Sequence, residues 1–575
     1  MIDGDGGNNI TGLSSGAQAG STGDGGIVEV IVSDQVTIQS GGVISNSTFS
    51  EGNAGSILLS AAQLVIDRLG SEDFTGIISG ANPGSTGNAG NVEVNIEELV
   101  TVQGGAEISS NTFSAGDAGS VALSAGELLI DRLGSDNFTG IFSRADVEST
   151  GNAGDIEVTI SELATVQGGG QISSSTVSVG NAGSIVVSAR DLMVDRLGSI
   201  HLTGIISQAD LDSIGNAGSV EVNIVEQATI KNGGEINSNT FSEGNAGSVT
   251  LSAGQLLIDG QESDNFTGIT SQAATGSTGN AGSLEINVEE LATITDAGEV
   301  STAAFGEGNA GSVLIESETG VVAVSNSSFI TSSAVGTNSD SGSVVIQSGG
   351  RVAVDESSVT TQSEDGMAGP IIITAGVLNT NNAQITTTTE SLTADGGDIT
   401  VSSDVFALQG TVIQANAVSG GGGEITVDSS VVPFGSQFNT QLDTPLSLDD
   451  PELASFGNVA QAVAPTGVSV PPEINSPEVD ITGALSGLDS DLGEVPTIGA
   501  DPCSVVQSGA PSTLIETGRG ALPVDSQRLS SAQSIKIEPQ SKDAEVYFIE
   551  QKLPANSRLA GNDVTGIGGC RNSNI

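Results

Sequence analysis

The chain repeats itself with a period of about 64 residues, and that period limits what it can fold into. The segment from Ser85, STGNAGNVEVNIEELVTVQGGAEISSNTFSAGDAGSVALSAGELLIDRLGSDNFTGIFS, aligns with those from Ser21, Ser149, Ser213 and Ser277. Phe49, Phe113, Phe241 and Phe305 share one column, with Val177 in the remaining place. Phe74, Phe138 and Phe266 share another, with Leu202 in place of Phe. Units of this size bury their apolar faces against one another, so the chain presents a long surface rather than one enclosed site.

A chain of 575 residues ordinarily divides into several globular domains. The composition argues otherwise, because 80 Gly, no Trp, one Tyr and 14 Phe leave little aromatic volume for large cores. The 37% hydrophobic content is mostly Val, Ile, Leu and Ala, which suits a narrow core of stacked rungs.

A net charge of -56, from 70 acids against 14 bases, excludes nucleic acid as a partner, since phosphate binding needs clustered Lys and Arg. It disfavours anionic membranes for the same reason. The acids are spread through the repeats, so they do not form a disordered acidic tail. No apolar run approaches the ~20 residues of a membrane helix. The opening MIDGDGGNNITGL has neither the basic region nor the apolar core of a signal peptide. The two cysteines, Cys503 and Cys570, permit a single disulfide.

Met1 to Leu13 aligns with Met193 to Ile205 at the repeat spacing, so the sequence starts inside a repeat. A solenoid needs a cap on its end rung, and the expectation is that a longer parent protein carries further sequence before Met1.

Each unit holds two related halves, and each half opens on a GNAG-like turn: Gly87 to Gly90 and Gly116 to Gly119 in the second unit. Period-two alternation follows, with Val92, Val94 and Ile96 on one face and Glu93 and Asn95 on the other. A second strand from Leu99 to Val102 leads to Gly104-Gly105 and a third strand around Ile108. Three short strands with glycine turns, where glycine supplies positive φ, make one triangular coil of an all-β parallel β-helix. Residues 1–432 hold about 14 such coils, with two-coil repeats over 1–340, and the stack is roughly 65 Å long. Both Phe columns are expected inside or against a corner. Asn88, Asn152, Asn216 and Asn280 fall in a turn column suited to an amide ladder. Thirteen of the 15 prolines lie from Pro433 onward, which marks the end of regular coils. Residues 433–500 read as a Pro-rich acidic linker, and 501–575 as a small C-terminal module with a strand at Ala544 to Ile549.

The chain offers no convincing catalytic, cofactor-binding or metal-ligating set. Gly12-Leu13-Ser14-Ser15-Gly16 has the G-x-S-x-G form, yet Ile78, Phe142 and Ile206 fill the Ser14 column. His201, the sole histidine, shares its column with Asp73, Asn137 and Asn265 and lacks partners at any ligand spacing. Asp3 to Asn9 looks calcium-friendly but lacks the downstream glutamate and the nonapeptide repeat of known calcium loops. The pairs Asp67-Arg68, Asp131-Arg132 and Asp195-Arg196 read as exposed ion pairs at a turn. Glu29, Glu93, Glu157, Glu221 and Glu285 read as an outward face, and the Thr386 to Thr389 run is too short for an ice-binding array.

The repeats GNAGSVEVNIVEQATI and GGAEISSNTFSAGDAGSV resemble the large exoproteins of the filamentous haemagglutinin type, closest to cyanobacterial members exported by two-partner secretion. The order of tail segments is similar too: Phe434 to Phe438, Pro477 to Gly483, Asp501-Pro502-Cys503, and Thr517-Gly518-Arg519-Gly520-Ala521-Leu522-Pro523. The resemblance implies a right-handed β-helix that passes unfolded through an outer-membrane two-partner-secretion transporter and folds outside the cell. It implies a secreted or surface-held adhesin with extracellular glycan or cell-surface ligands. It also implies either a C-terminal disulfide loop that anchors the chain, from Cys503 and Cys570, or a simple staple of the terminal module. The secretion domain of that family has no counterpart in these residues. The expected function is non-enzymatic attachment. The alternatives are a polysaccharide lyase or hydrolase on the same fold, and a purely structural extracellular spacer.

Overall fold

The computed structural model describes residues 1–4, 11–211, 213–261, 263–433, 438–440, 457–475 and 478–479. The chain divides into two units, Met1–Ile481 and Thr482–Ile575, and only the first contains described residues. The module read at 501–575, with Cys503 and Cys570, therefore lies outside them.

The described residues form strands and turns and no helix. Their strands pair in parallel into one 22-stranded and one 16-stranded sheet, which together make a right-handed parallel β-helix of about 13 turns. Each coil places two strand segments in the larger sheet and one in the smaller. Successive coils are 29 and 35 residues long in alternation, which is the origin of the 64-residue period.

The core follows from in-register stacking. Val92 pairs with Val121, Val121 with Ile156, Ile156 with Ile185, and Ile185 with Val220, so one aliphatic column climbs the stack. Val92, Val94 and Ile96 are buried while Glu93 is exposed, as the alternation predicts. Each such side chain contributes about 1.5–3 kcal/mol on burial.

Several local features differ from the sequence reading. From Ile156 onward the first two strands of most coils run together as one bent strand, such as Ile156–Gln167. A register shift between Ile160 and Leu163 makes the bend, so a bulge does the work expected of a glycine turn. The GNAG glycines are required for another reason than positive φ. At Gly218 a methyl group would overlap the carbonyl of Gly183 in the preceding coil. Positive φ occurs instead at other turn residues, for example 98° at Gly105.

The Asn column is a ladder with a member in every coil. Each side-chain oxygen accepts the backbone N–H of the equivalent residue one coil on, unbroken from Asp24 to Met367 at 2.7–2.9 Å. A buried hydroxyl column serves the glycines behind it. Ser207 Oγ donates to Gly183 O at 3.1 Å and accepts Gly218 N–H at 2.8 Å. Ser174 and Ser238 repeat the pattern. The backbone N–H and C=O groups of these buried glycines are thus hydrogen-bonded.

At Pro433 the last long strand ends. Within the span read as linker, Asn458–Gln461 pairs with Val412–Ala417 and Glu473–Asn475 pairs with Ile425–Pro433. Val459 and Ala460 are buried there, so residues 457–475 cover the final coil and its unpaired edge.

Candidate functional site

The longer coil of each pair carries an additional loop, Asp67 to Phe74 in the first complete unit. Leu69 and Gly70 take φ of 49° and 72° and turn the chain back on itself. Arg68 is buried and does not pair with Asp67. Its Nε donates to Ser71 O at 2.7 Å and its Nη2 to Glu72 O at 2.6 Å. Asp67 instead accepts the Leu69 N–H at 2.9 Å and the Gln103 amide at 2.6 Å. Arg132 and Arg196 repeat the arrangement. The Asp-Arg pairs are therefore not exposed ion pairs. They are loop staples, because the turn at Leu69 carries the guanidinium back onto loop carbonyls.

The stapled loop delivers Phe74, Phe138 or Leu202 to the outer face of the 16-stranded sheet, and Phe266 takes the same place on a loop where Gly260 replaces the arginine. The following threonine locks it: Thr139 Oγ1 accepts the Gly105 N–H of the preceding coil at 2.8 Å. The second Phe column follows the alternate strands of the same sheet at their other end, where Phe113 N–H donates to Ala81 O and Phe241 N–H to Ala209 O, both at 2.8 Å. Neither column belongs to the core. Phe49, Phe138 and Phe305 are 48%, 52% and 41% exposed. They stand one or two residues outside the strands, so repetition placed them in columns without placing them inside.

The two columns wall a groove whose floor is the outward row of the sheet. A recess of about 450 Å³ near the start of the chain is bounded by Phe49 on one side, Phe74 on the other, and Ser45 and Ile78 between. A second recess, of about 320 Å³, lies between Phe138, Leu202 and Val177 above Ser173 and Ile206. Several floor atoms are buried without a protein partner: Ser109 Oγ, Asn237 Oδ1, Thr270 Oγ1 and Arg144 Nη2.

A carboxylate column at the groove edge escaped the sequence reading. Glu107, Gln171, Glu235 and Glu299 recur at the 64-residue period, and Gly76, Gly140, Gly204 and Gly268 occupy the same register in the intervening coils. The glycines leave room for the acids to lie low. Burial raises the Glu107 carboxyl above its ordinary range, against the lowering effects of Arg144 and Arg68. Burial pushes Glu235 up to about 7, opposed by the Asn237 amide that donates to it at 2.9 Å. Burial likewise raises Glu299 and Asp210. The signal was the shared period of these acids with the flanking glycines.

A further open groove of about 1170 Å³ follows the bend of the 22-stranded sheet, floored by Ile160, Ala189, Ile224 and Val288 and edged by Arg190 and Glu289. Arg190 pairs there with Glu162 at 2.7 Å and Asp191 at 3.1 Å.

Ser14 pairs in register with Ser45, which pairs with Ile78, and its Oγ accepts from Ser45 Oγ at 3.0 Å. His201 sits on the third stapled loop, beside the seventh strand of the sheet that Ser14 begins, roughly 29 Å away by strand spacing. The structure does not bring them together. The Glu29, Glu93, Glu157, Glu221 and Glu285 column is exposed. Leu58, Ala122, Val186 and Thr250 separate its members in the coils between. Thr386, Thr387 and Thr389 are buried, so that run offers no flat hydroxyl surface. Of the Asp3 to Asn9 segment, residues 5–9 lie outside the described residues, and Asp3 accepts the Gln39 amide at 2.8 Å. Among the described residues no group of three or more His, Cys, Asp or Glu is arranged to hold a metal ion. No family model, curated protein or solved structure matches this chain.

Proposed function

We propose that this chain is a rod-like segment of an extracellular attachment protein of the filamentous haemagglutinin type, exported through an outer-membrane two-partner-secretion transporter. Its ligands are extracellular glycans or cell-surface molecules, and it acts without catalysis. The observation that carries this reading is the recurrence of one groove along the stack. The Phe columns repeat every second coil, about 10 Å apart, so one rod offers many equivalent weak contacts. The β-helix and the high negative charge both suit a secreted rod.

The direct test coats microspheres with the folded chain and measures their retention on polysaccharide-covered surfaces and on whole cells. Retention above albumin-coated spheres is expected. Equal retention on every surface overturns the reading.

A second reading, a β-helical polysaccharide-degrading enzyme, draws on one observation. Glu235 is a carboxyl poised near neutral pH, with Glu299 two coils away, about 10 Å by strand spacing. That separation sits at the upper limit for an inverting pair of carboxyls. Release of reducing ends from glycans, abolished by Glu235→Gln, would select this reading over attachment.

A further inference from the structure

The repeat breaks in several columns, and those breaks meet in one place. Val177 stands where Phe49, Phe113, Phe241 and Phe305 stand in the other short coils, and Leu202 replaces the Phe of the opposite wall. Asp146 and Asp210 flank Val177 in the coils on either side. Their N–H groups bond to Thr112 O and Thr176 O, as Val177 N–H bonds to Ala145 O, which places the three at one level of successive coils. On the floor, Arg144 occupies a position that is Gly80, Asn111, Ser175 or Gln208 in neighbouring strands. Val177 and Leu202, which stand in place of aromatic rings, line the recess of about 320 Å³, and charged groups stand around it.

We propose that this recess, between the strands Gly140–Ala145, Gln171–Thr176 and Thr203–Ala209, binds a sugar residue of a neutral glycan. The chemistry of the rim selects that class. Arg144 lies 4.4 Å from the Phe138 ring centroid and 3.8 Å from that of Phe142, with Glu107 3.6 Å away, and its Nη2 is buried without a protein partner. Its side chain lines the recess and is the cation there. Asp146 and Asp210 supply acceptors, and the Gln208 amide that donates to Asp210 supplies both kinds of group. Sugar hydroxyls both donate and accept, so they match a rim of mixed sign. The Phe138 ring offers an apolar wall for the C–H face of a pyranose. An anionic sugar meets two aspartates with the one arginine already balanced by Glu107, in a chain of net charge -56. A cationic ligand meets Arg144 itself.

This inference rests on the glycan-attachment reading, and one substitution separates the two. Val177→Phe restores the residue that the other short coils carry, so it narrows the recess at its wall with a side chain the fold already accepts. Calorimetric titration of the full chain would use neutral tetrasaccharides of glucose, galactose and mannose, with tetragalacturonate as the anionic comparator. A neutral tetrasaccharide is expected to bind, with affinity reduced at least tenfold by Val177→Phe and by Arg144→Gln, while thermal unfolding of Val177→Phe stays unchanged. Unaltered binding by Val177→Phe, preference for tetragalacturonate, or no binding of any neutral tetrasaccharide overturns the proposal. In the last case, microspheres that still adhere leave the attachment reading standing, with the recess excluded as its basis.

Discussion

Asn216 Oδ1 accepts the backbone N–H of Asn245 at 2.8 Å, one coil further along the stack, while Asn216 N–H donates to Asn181 Oδ1 at 2.8 Å. The side chain thus satisfies a backbone donor that the strand ladder does not reach, and it does so in each coil of the ladder. Asn216→Ala leaves the Asn245 N–H without that acceptor and is expected to cost about 1–2 kcal/mol in denaturant unfolding. Asn216→Asp keeps the accepting oxygen, as Asp117 does in its own coil, and should cost distinctly less. Equal losses for the two variants would show that the ladder contributes nothing specific.

Two glycines in the same stretch separate close approach from backbone conformation. A methyl at Gly218 overlaps the Gly183 carbonyl, whereas Gly134 has open space around it and a φ of 70°. Gly218→Ala must push two coils apart and is expected to cost about 3 kcal/mol or more. Gly134→Ala only strains one residue, at about 1 kcal/mol. Chemical denaturation of the two variants side by side checks the order, which a positive-φ role for the GNAG glycines would reverse.

These features differ in how far the sequence revealed them. Val92, Val94 and Ile96 were legible because strand alternation and repetition both point inward. The Asn ladder was legible as a column, although its members at Asn53, Asn181 and Asn245 are offset from the 64-residue register and doubled its density. Phe138 was misplaced because periodicity reports recurrence and not direction. A side chain two residues before a strand takes its direction from the loop, and that loop is set by Arg132. Glu107 went unseen because its column mixes Glu, Gln and Val. Its burial comes from Gly76 and Gly140 in the adjoining coils, a relation that exists only once the register is known.

Arg132 tests the loop staple. Its Nε and Nη2 donate to Ser135 O and Asp136 O, both at 2.7 Å, and the guanidinium lies 5.7 Å from the Phe138 ring. Arg132→Lys retains the charge but cannot donate in two directions from a planar fork, so it should not rescue the loss. Both Arg132→Ala and Arg132→Lys are expected to speed amide exchange at least tenfold across residues 133–139. The strand Val121–Ala125 should keep its protection, since its core contacts are untouched. Full protection in the Lys variant would reduce the staple to simple charge.

Glu235 gives the stack a pH dependence of definite sign. Burial raises its pKa from 4.5 to about 7, so between these values the folded chain holds a proton that the unfolded chain has released. Stability on this account is greatest below pH 4.5, falls as pH rises through 7, and is level above. The raised Glu107, Glu299 and Asp210 act in the same direction, as does mutual repulsion among the acids, so the wild-type slope alone does not isolate one group. The Glu235→Gln variant does. Its amide stays neutral at every pH, and its carbonyl retains an acceptor for Asn237. It should match the parent at pH 4 and exceed it by about 1–3 kcal/mol at pH 8, read by urea unfolding at both values. A constant difference between the two proteins across that range would mean that Glu235 titrates alike in the folded and unfolded chains.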